Sequence, residues 1–464
     1  MLDSQYRLVG LSRSPSRARQ RPGGKAYQWR QADLFSRRQT IDALRDADVA
    51  VYLVHSLYPS ARLTQGRVGD LDVLCADNFA RAAAAADVDH IVYVSPLLPD
   101  HDSPSPFIAS RVEVEAALRS QGTTVTALRA TQIIGAGSTG TEMICRLVER
   151  LPAMLLPAWN DTALRPLARC DLVQLIADLI PRPDLDIDAL NIGGPETSSF
   201  RSMIATVADL MDRRCRLRSA PVDAPRLSTA WISLWTGQPR WVIRPLIESL
   251  RRQGLQHHQP LPEPLTTPST SVRQAFQQAL SERDQHDTST LPAVVNNRSL
   301  IAWNRNRDVR AVHRMKLPSD QTHDASWVAL EYARWLPLAF RPFLKVTRDA
   351  SNTLRFFLRP IPWPLLVLSY DEDVSRTDRQ LYWITAGLLA RPSDTGRLEF
   401  RTVLSGRSAI GAIHDFRPRL PWFLYLLTQA KIHHLVMRAF DRHLRRIDSS
   451  DDSSPPPKAL ESSP

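Results

Sequence analysis

Residues able to hold a phosphate, a ribose or a proton recur in this chain at one kind of place, the end of a short apolar run. The run over residues 6–11 closes on Ser12-Arg13-Ser14-Pro15, setting a hydroxyl and a guanidinium just past a candidate strand. An arginine there is well placed to meet a phosphate ester, which its planar fork suits better than an ammonium does. Residues 26–31 lead to Asp33-Leu34, a carboxylate within reach of a sugar or base, although an Asp is also ordinary at a helix start. Residues 48–54 end on Val54, followed by His55-Ser56, and residues 90–94 are followed by Ser95. An imidazole or hydroxyl at such an end can bind a polar ligand, and His55 is a candidate acid. Arg17 and Arg19, behind Arg13, read as a wider phosphate clamp or as a solvated arginine-rich loop.

These ends belong to strands that alternate with helices. A helix carrying Ile41 and Leu44 follows Asp33, and a longer one places Leu71, Leu74, Cys75, Phe79, Ala82 and Ala86 on one face. Helix 108–119 and strand 124–128 continue the pattern, and residues 48–54 are almost wholly apolar, as a strand buried on both faces must be. Alternation of this kind predicts an α/β fold with a doubly wound parallel sheet, which binds ligands at the carboxyl ends of its strands. In a dinucleotide-binding version, residues 6–11 form the second strand, and Arg13 favours NADP(H) over NAD(H) by meeting the adenosine 2′-phosphate. The first strand and its Gly-x-x-Gly-x-x-Gly turn do not precede it. The expected sheet therefore lacks its first βα unit, through partial loss of the cofactor site or a misplaced start.

Past residue 150 the elements shorten, punctuated by Pro152, Pro157 and Pro166. A short strand at 190–192 runs into Gly193-Gly194-Pro195, helices follow at 200–211 and 272–280, and residues 256–271 are polar and proline-rich. The predicted domain plan is 1–284 for the parallel domain, 285–299 for a linker, 300–448 for an α+β domain and 449–464 for a disordered tail. The second domain is read as strands at 308–315, 354–358, 365–369, 380–387, 396–404 and 410–416, closed by one long helix over 421–446. A Gly135-x-Gly137-x-x-Gly140 motif has three readings: a dinucleotide fingerprint with Asp161 about twenty residues on, a substrate-side loop, or a structural turn.

The composition, 43% hydrophobic and 23% charged, describes a globular chain, and 464 residues call for more than one core. The net charge of +11 is carried by arginine, since there are only five lysines, and no element interleaves basic and aromatic residues. Nucleic-acid binding is therefore not expected. Cys75, Cys145, Cys170 and Cys215 have no paired spacing and read as buried reduced thiols. No apolar stretch is long enough to span a membrane and no signal peptide opens the chain, so a cytoplasmic protein is expected. His257-His258 and His433-His434 do not suggest metal, because neighbours on a helix diverge by about a hundred degrees. The apolar start of the closing helix, Trp422 to Leu427, is core packing, or else contact with a lipid-like ligand or a membrane surface.

Over residues 6–285 the chain resembles atypical short-chain dehydrogenase/reductases of the NmrA-like kind. The matching stretches are Ser12-Arg13-Ser14-Pro15, Asp33-Leu34, Tyr52-Leu53-Val54-His55-Ser56, Ile91-Val92-Tyr93-Val94-Ser95, residues 109–115, Leu128-Arg129-Ala130-Thr131, and Asn191 to Glu196. The later region resembles the C-terminal domain of the YbjT-like group, through Gly387-Leu388-Leu389, residues 396–401 and residues 413–422. The resemblance implies a Rossmann-like domain binding a nicotinamide dinucleotide, joined to a helix-grip (START-like) module that often encloses an apolar ligand. It implies cofactor contacts from Ser12, Arg13, Asp33, Leu34, Val54, His55, Ser56, Ser95 and Arg111. It also makes the glycine motif a loop beside nicotinamide and substrate. Classical members use a Tyr-x-x-x-Lys pair, and the matching positions here are Phe107 and Arg111. Phenylalanine transfers no proton, so standard carbonyl reduction lacks its acid. The expected function is a non-standard oxidoreductase, an epimerase-like enzyme or a redox sensor. The alternative is a lipid-type ligand binder with a degenerate Rossmann half.

Overall fold

The computed structural model describes residues 6–20, 23–56, 63–98, 105–182, 185, 187–220, 224–252, 260–285, 308–318 and 323–451. Residues 286–299 of the expected linker, 452–464 of the expected tail, and His257-His258 lie outside them. The chain divides into two compact units, one of residues 1–58 and 75–296, the other of residues 59–74 and 297–464.

The elements begin with β1 (Val9–Ser12), α1 (Pro15–Arg19), β2 (Gln28–Gln31), α2 (Arg37–Leu44), β3 (Val49–Tyr52), β4 (Leu63–Gln65) and α3 (Val68–Ala85). There follow β5 (His90–Pro96), α4 (Pro106–Arg119), β6 (Thr124–Ala130), β7 (Ile133–Ile134), α5 (Thr139–Arg150) and β8 (Ala153–Leu156). The first unit closes with β9 (Leu167–Ala168), α6 (Arg169–Leu179), β10 (Ala189–Ile192), α7 (Phe200–Leu210), β11 (Arg216–Ser219), α8 (Pro225–Thr236), α9 (Arg240–Arg252) and α10 (Val272–Gln285).

Short polar residues start several of these helices. Ser36, Ser105, Ser138 and Ser199 each accept a hydrogen bond from a backbone N–H in the first turn, satisfying a donor the helix itself cannot. Every named ladder in the first unit is parallel. The main sheet runs β10-β6-β5-β3, and one of its faces is covered by Leu172, Leu175, Ile176 and Leu179 of α6. The other face meets α3 and α4, with the Tyr52 ring 4.9 Å from Phe79 and Arg129 bound to Glu115. Helices on both faces of a parallel sheet make this a Rossmann-like, doubly wound α/β unit. The sheet is divided, however. β1 pairs with β2 alone and β3 with β5 alone among the described strands, so no ladder joins β1-β2 to the main sheet.

The second unit is an eight-stranded sheet. It contains β12 (Val309–Lys316), α11 (Ala325–Ala339), β13 (Leu344–Arg348), β14 (Leu354–Leu358), β15 (Leu366–Tyr370), β16 (Arg379–Ala386), β17 (Arg397–Val403) and β18 (Ser408–Phe416). Two helices end it, α12 (Trp422–Leu427) and α13 (Gln429–Asp451). The strand order is β13-β14-β15-β16-β17-β18-β12-β4, antiparallel except that β4 lies parallel to β12. One face packs against α11 and α13, and rings fill the space between: Tyr332 is 5.3 Å from Phe400 and 5.1 Å from Phe440. Gly411 lets α13 approach, since a Cβ there would lie 2.6 Å from the Met437 terminal methyl.

The structure departs from the sequence reading in several elements. Helix α11 and strands β4 and β13 are additional to those read. The closing helix breaks at Thr428 and runs on to Asp451, and its apolar start is split: Tyr425 is buried, while Leu424 and Leu427 are exposed. Of the four cysteines, all free, only Cys75 and Cys145 are buried; Cys215 is half-buried and Cys170 is exposed.

Candidate functional site

The predicted residues fall into two groups at strand ends of the first unit. Ser12 ends β1, where its Oγ accepts from the Ser14 N–H at 3.1 Å and its carbonyl from Ala32 N–H at 3.0 Å. Arg13 projects beyond it, exposed and with no ion pair or side-chain hydrogen bond among the described residues. Asp33 follows β2 and accepts from the Phe35 N–H, a turn-forming bond that also fixes the start of α2. The Leu34 carbonyl accepts from the buried Asn78 side chain at 2.7 Å, tying this turn to α3. The structure thus brings Ser12, Arg13, Asp33 and Leu34 together at the carboxyl ends of β1 and β2.

The second group follows β3 and β5. Val54 and His55 are exposed past the end of β3, and Ser56 is half-buried. Tyr52 is level with Tyr93, the last pair of the β3–β5 ladder. Ser95 itself is 3% exposed and its hydroxyl has no hydrogen-bond partner among the described residues. A buried hydroxyl left unpaired costs about 1–3 kcal/mol, so a group that pairs with it gains that much. Arg111 lies on α4, buried, donating to Ser110 Oγ with its guanidinium 5.4 Å from the Phe107 ring. No ladder joins this group to the first.

Beside Ser95 in register lies Arg129, and beside Arg129 lies Asn191. Arg129 is held by Glu115 at 2.8 Å, and Glu115 also takes Arg119, which reaches Asp188 at 3.1 Å. This ionic chain locks β6 to α4. The sequence reading quoted Arg129 and Glu115 only as matching positions; nothing in their spacing marks them as partners, because they meet through the fold.

The glycine motif has a structural explanation at each position. Gly137 adopts φ +78°, which favours glycine. A Cβ on Gly135 would lie 2.9 Å from the Arg169 side chain, and one on Gly140 2.0 Å from the Gln132 amide. The turn and two close approaches require these residues without a phosphate.

The second unit holds a buried ionic cluster on the sheet face opposite α11 and α13. Glu399 on β17 accepts from Arg379 Nε at 2.9 Å and Nη2 at 3.2 Å and from Arg401 Nε at 2.7 Å, with His414 Nε2 3.5 Å away. Burial pushes the Glu399 carboxyl up, but Arg401, Arg379 and His414 together outweigh it and hold it well below the usual range. His414 is held down to about 4 by burial and Arg397, against the pull of Glu399, so a neutral ring faces this carboxylate. The alternation Arg397-Leu398-Glu399-Phe400-Arg401 could have revealed it, because a period of two places all three charges on one strand face. Among the described residues no group of three or more His, Cys, Asp or Glu could hold a metal ion. No described helix is long and apolar enough to cross a membrane.

Comparison with known proteins adds the following. No protein-family profile matches the chain. Auxiliary protein GraX of Staphylococcus aureus (strain NCTC 8325 / PS 47) is 30% identical over 94 residues, which are 20% of this chain and 30% of GraX. The match thus spans less than a third of that relative. Among solved structures, the chain is similar to the NADP(H) complex of triphenylmethane reductase from Citrobacter sp., with 13% identity, 58% of this chain and 90% of that chain covered, and a TM-score of 0.46. It is similar also to the NADPH complex of an NADPH-dependent quinone oxidoreductase from Escherichia coli, at 17% identity, 60% and 93% coverage and a TM-score of 0.46. A third is the enzyme WbmG from Bordetella bronchiseptica in complex with NAD, at 14%, 61% and 88%, with a TM-score of 0.43.

Proposed function

We propose that the first unit binds a nicotinamide dinucleotide, with NADP(H) preferred, at the carboxyl ends of β1, β3 and β5. The observation that carries this reading is Arg13: an exposed guanidinium without a partner among the described residues, past the end of a parallel strand, beside Asp33. A 2′-phosphate would give it two charge-assisted hydrogen bonds. The unpaired Ser95 hydroxyl supports the same placement, since a ribose or nicotinamide amide could satisfy it. When bound, the dinucleotide supplies a hydride or accepts one. This chain's own residues would hold and orient it, with Arg13 on the phosphate and Ser95 on a polar edge.

Phe107 stands where the resembled family has its acid, and Arg111, committed to Ser110 and the Phe107 ring, does not deprotonate. The site is therefore better suited to binding, or to hydride transfer without a protein acid, than to carbonyl reduction of the usual kind. Fluorescence titration of the full chain with NADPH and NADH tests the proposal. NADPH should bind more tightly, and Arg13→Ala should cost about tenfold or more in NADPH affinity while leaving NADH unchanged. Failure of both nucleotides to bind overturns it, and equal affinities insensitive to Arg13→Ala overturn the role given to that arginine.

A further inference from the structure

Under the start of α13 the second unit gathers polar groups that do not satisfy one another. Gln429 is the first residue of this 23-residue helix, and His433 lies one turn further along the same face. The His313 ring, on β12, is 5.2 Å from that of His433 and 5.1 Å from that of His434. Gln65 on β4 is level with Ala311, two residues before His313, and so shares its face of the sheet. Gln65 also hydrogen-bonds the Tyr425 hydroxyl on α12. Four atoms here are buried without a hydrogen-bond partner among the described residues: Gln429 Nε2 and Oε1, His313 Nε2 and His433 Nε2. At about 1–3 kcal/mol for each unpaired group, so many in one place is costly unless something occupies the space between them.

The chemistry of the surroundings selects the occupant. Of the four atoms one is an amide donor and one an amide acceptor, and either ring nitrogen can donate; Gln65 adds an amide beside them. The charged groups acting on His313 are His434, Arg438 and Arg67, all on the cationic side. The amino end of a long helix adds a further positive partial charge. A metal dication would be repelled by Arg67 and Arg438, and the three rings lack metal-holding geometry. A neutral guest would leave the arginines' field unused.

We propose that Gln65, His313, Gln429 and His433 form a binding site for a small oxyanion, a carboxylate or a phosphate group, with Arg67 and Arg438 at its rim. Donors from β4, β12 and α13 meet at this corner of the sheet, which is what an anion with several acceptor oxygens needs. The rings are kept neutral by burial and by the cations around them, His313 at about 4 and His433 at about 3. An anion between them would reverse that field, so its binding and ring protonation favour each other. Affinity should therefore rise as pH falls from 7.5 to 5.5.

Histidine ring resonances of the full chain, followed by NMR during titration with inorganic phosphate and separately with acetate, test this. The site predicts saturable shifts of the His313 and His433 rings, an upward move of their titration midpoints, and binding weakened about tenfold by Gln429→Leu. Response to phosphate alone would identify a phosphoryl ligand, and response to acetate alone a carboxylate. Rings that ignore both anions would overturn the proposal and leave ordered water as the partner of these atoms. So would rings that respond equally in the Gln429→Leu chain, or that respond to Zn²⁺ but to neither anion. Retained shifts of His414, buried on β18 of the same unit, show that the variant is folded.

Discussion

Replacing Glu399 by glutamine removes one negative charge from a fully enclosed site with almost no change of shape. The carboxylate is 2% exposed and accepts from Arg379 Nε and Nη2 as well as from Arg401 Nε. Removing one partner of a buried ion pair costs about 3–5 kcal/mol, because the remaining charge stays buried. Glutamine keeps one acceptor oxygen, so the lower end, about 3 kcal/mol, is the expected loss for Glu399→Gln. For a unit of this size each kcal/mol moves the melting temperature by about 2–4 °C, giving a fall of about 6–12 °C. The natural control is Arg445→Gln on α13, which breaks an exposed pair with Asp441 and should cost at most about 0.5 kcal/mol. Thermal unfolding of the full chain at pH 7, followed by calorimetry, reads both. Because the folded pKa of Glu399 is depressed, its contribution is present above the unfolded value of 4.5 and is lost as pH falls through the folded one. The difference between the chains should therefore shrink only in strong acid. A Glu399→Gln chain that melts within about 2 °C of the parent at pH 7 would refute the view that this carboxylate anchors β16 to β17.

Other consequences are open to measurement. His414 and His313, held near 4 against an unfolded value of 6.5, make their stability contribution fully above pH 6.5 and lose it as pH falls from 6.5 towards 4. The loss should approach about 3 kcal/mol per ring in urea unfolding, and stability that is flat over this window would show that the rings are not held neutral. Gly194→Ala should destabilise the first unit by about 1–3 kcal/mol, because a Cβ there would lie 2.1 Å from the Pro166 carbonyl; an unchanged unfolding midpoint would contradict that close approach. In the native chain, Cys170 should be the first of the four cysteines to react with a thiol reagent. Cys145, whose thiol burial pushes up to about 12, should react only on unfolding, and mass mapping of the modified peptide decides it.

Much of the first unit was legible because its signal is local. Residues 91–94 are apolar and sit in a strand buried on both faces, and the serines that start α4, α5 and α7 precede their helices directly. Less local features were hidden. β4 is three residues long and finds its place only by pairing with β12, more than two hundred residues later. α11 carries Pro337 and a buried face of Ala325, Val328, Ala329, Tyr332 and Leu336, a pattern that an aromatic-rich run obscures. The candidate site divides in the same way. Arg13, Asp33 and Ser95 could be read because strand ends are where parallel sheets place ligands. The meeting of His313 with His433 and His434 could not, since adjacent histidines on a helix diverge and only a third ring from a strand lies close to both.

The proposed dinucleotide site runs across the carboxyl ends of β1, β3 and β5. Hydrogen–deuterium exchange of the full chain with and without NADPH tests that placement directly. The account predicts slowed exchange in the peptides covering residues 9–14, 52–56 and 93–98, with the first of these unprotected in the Arg13→Ala chain. Protection confined to other segments, or none at saturating NADPH, would contradict it.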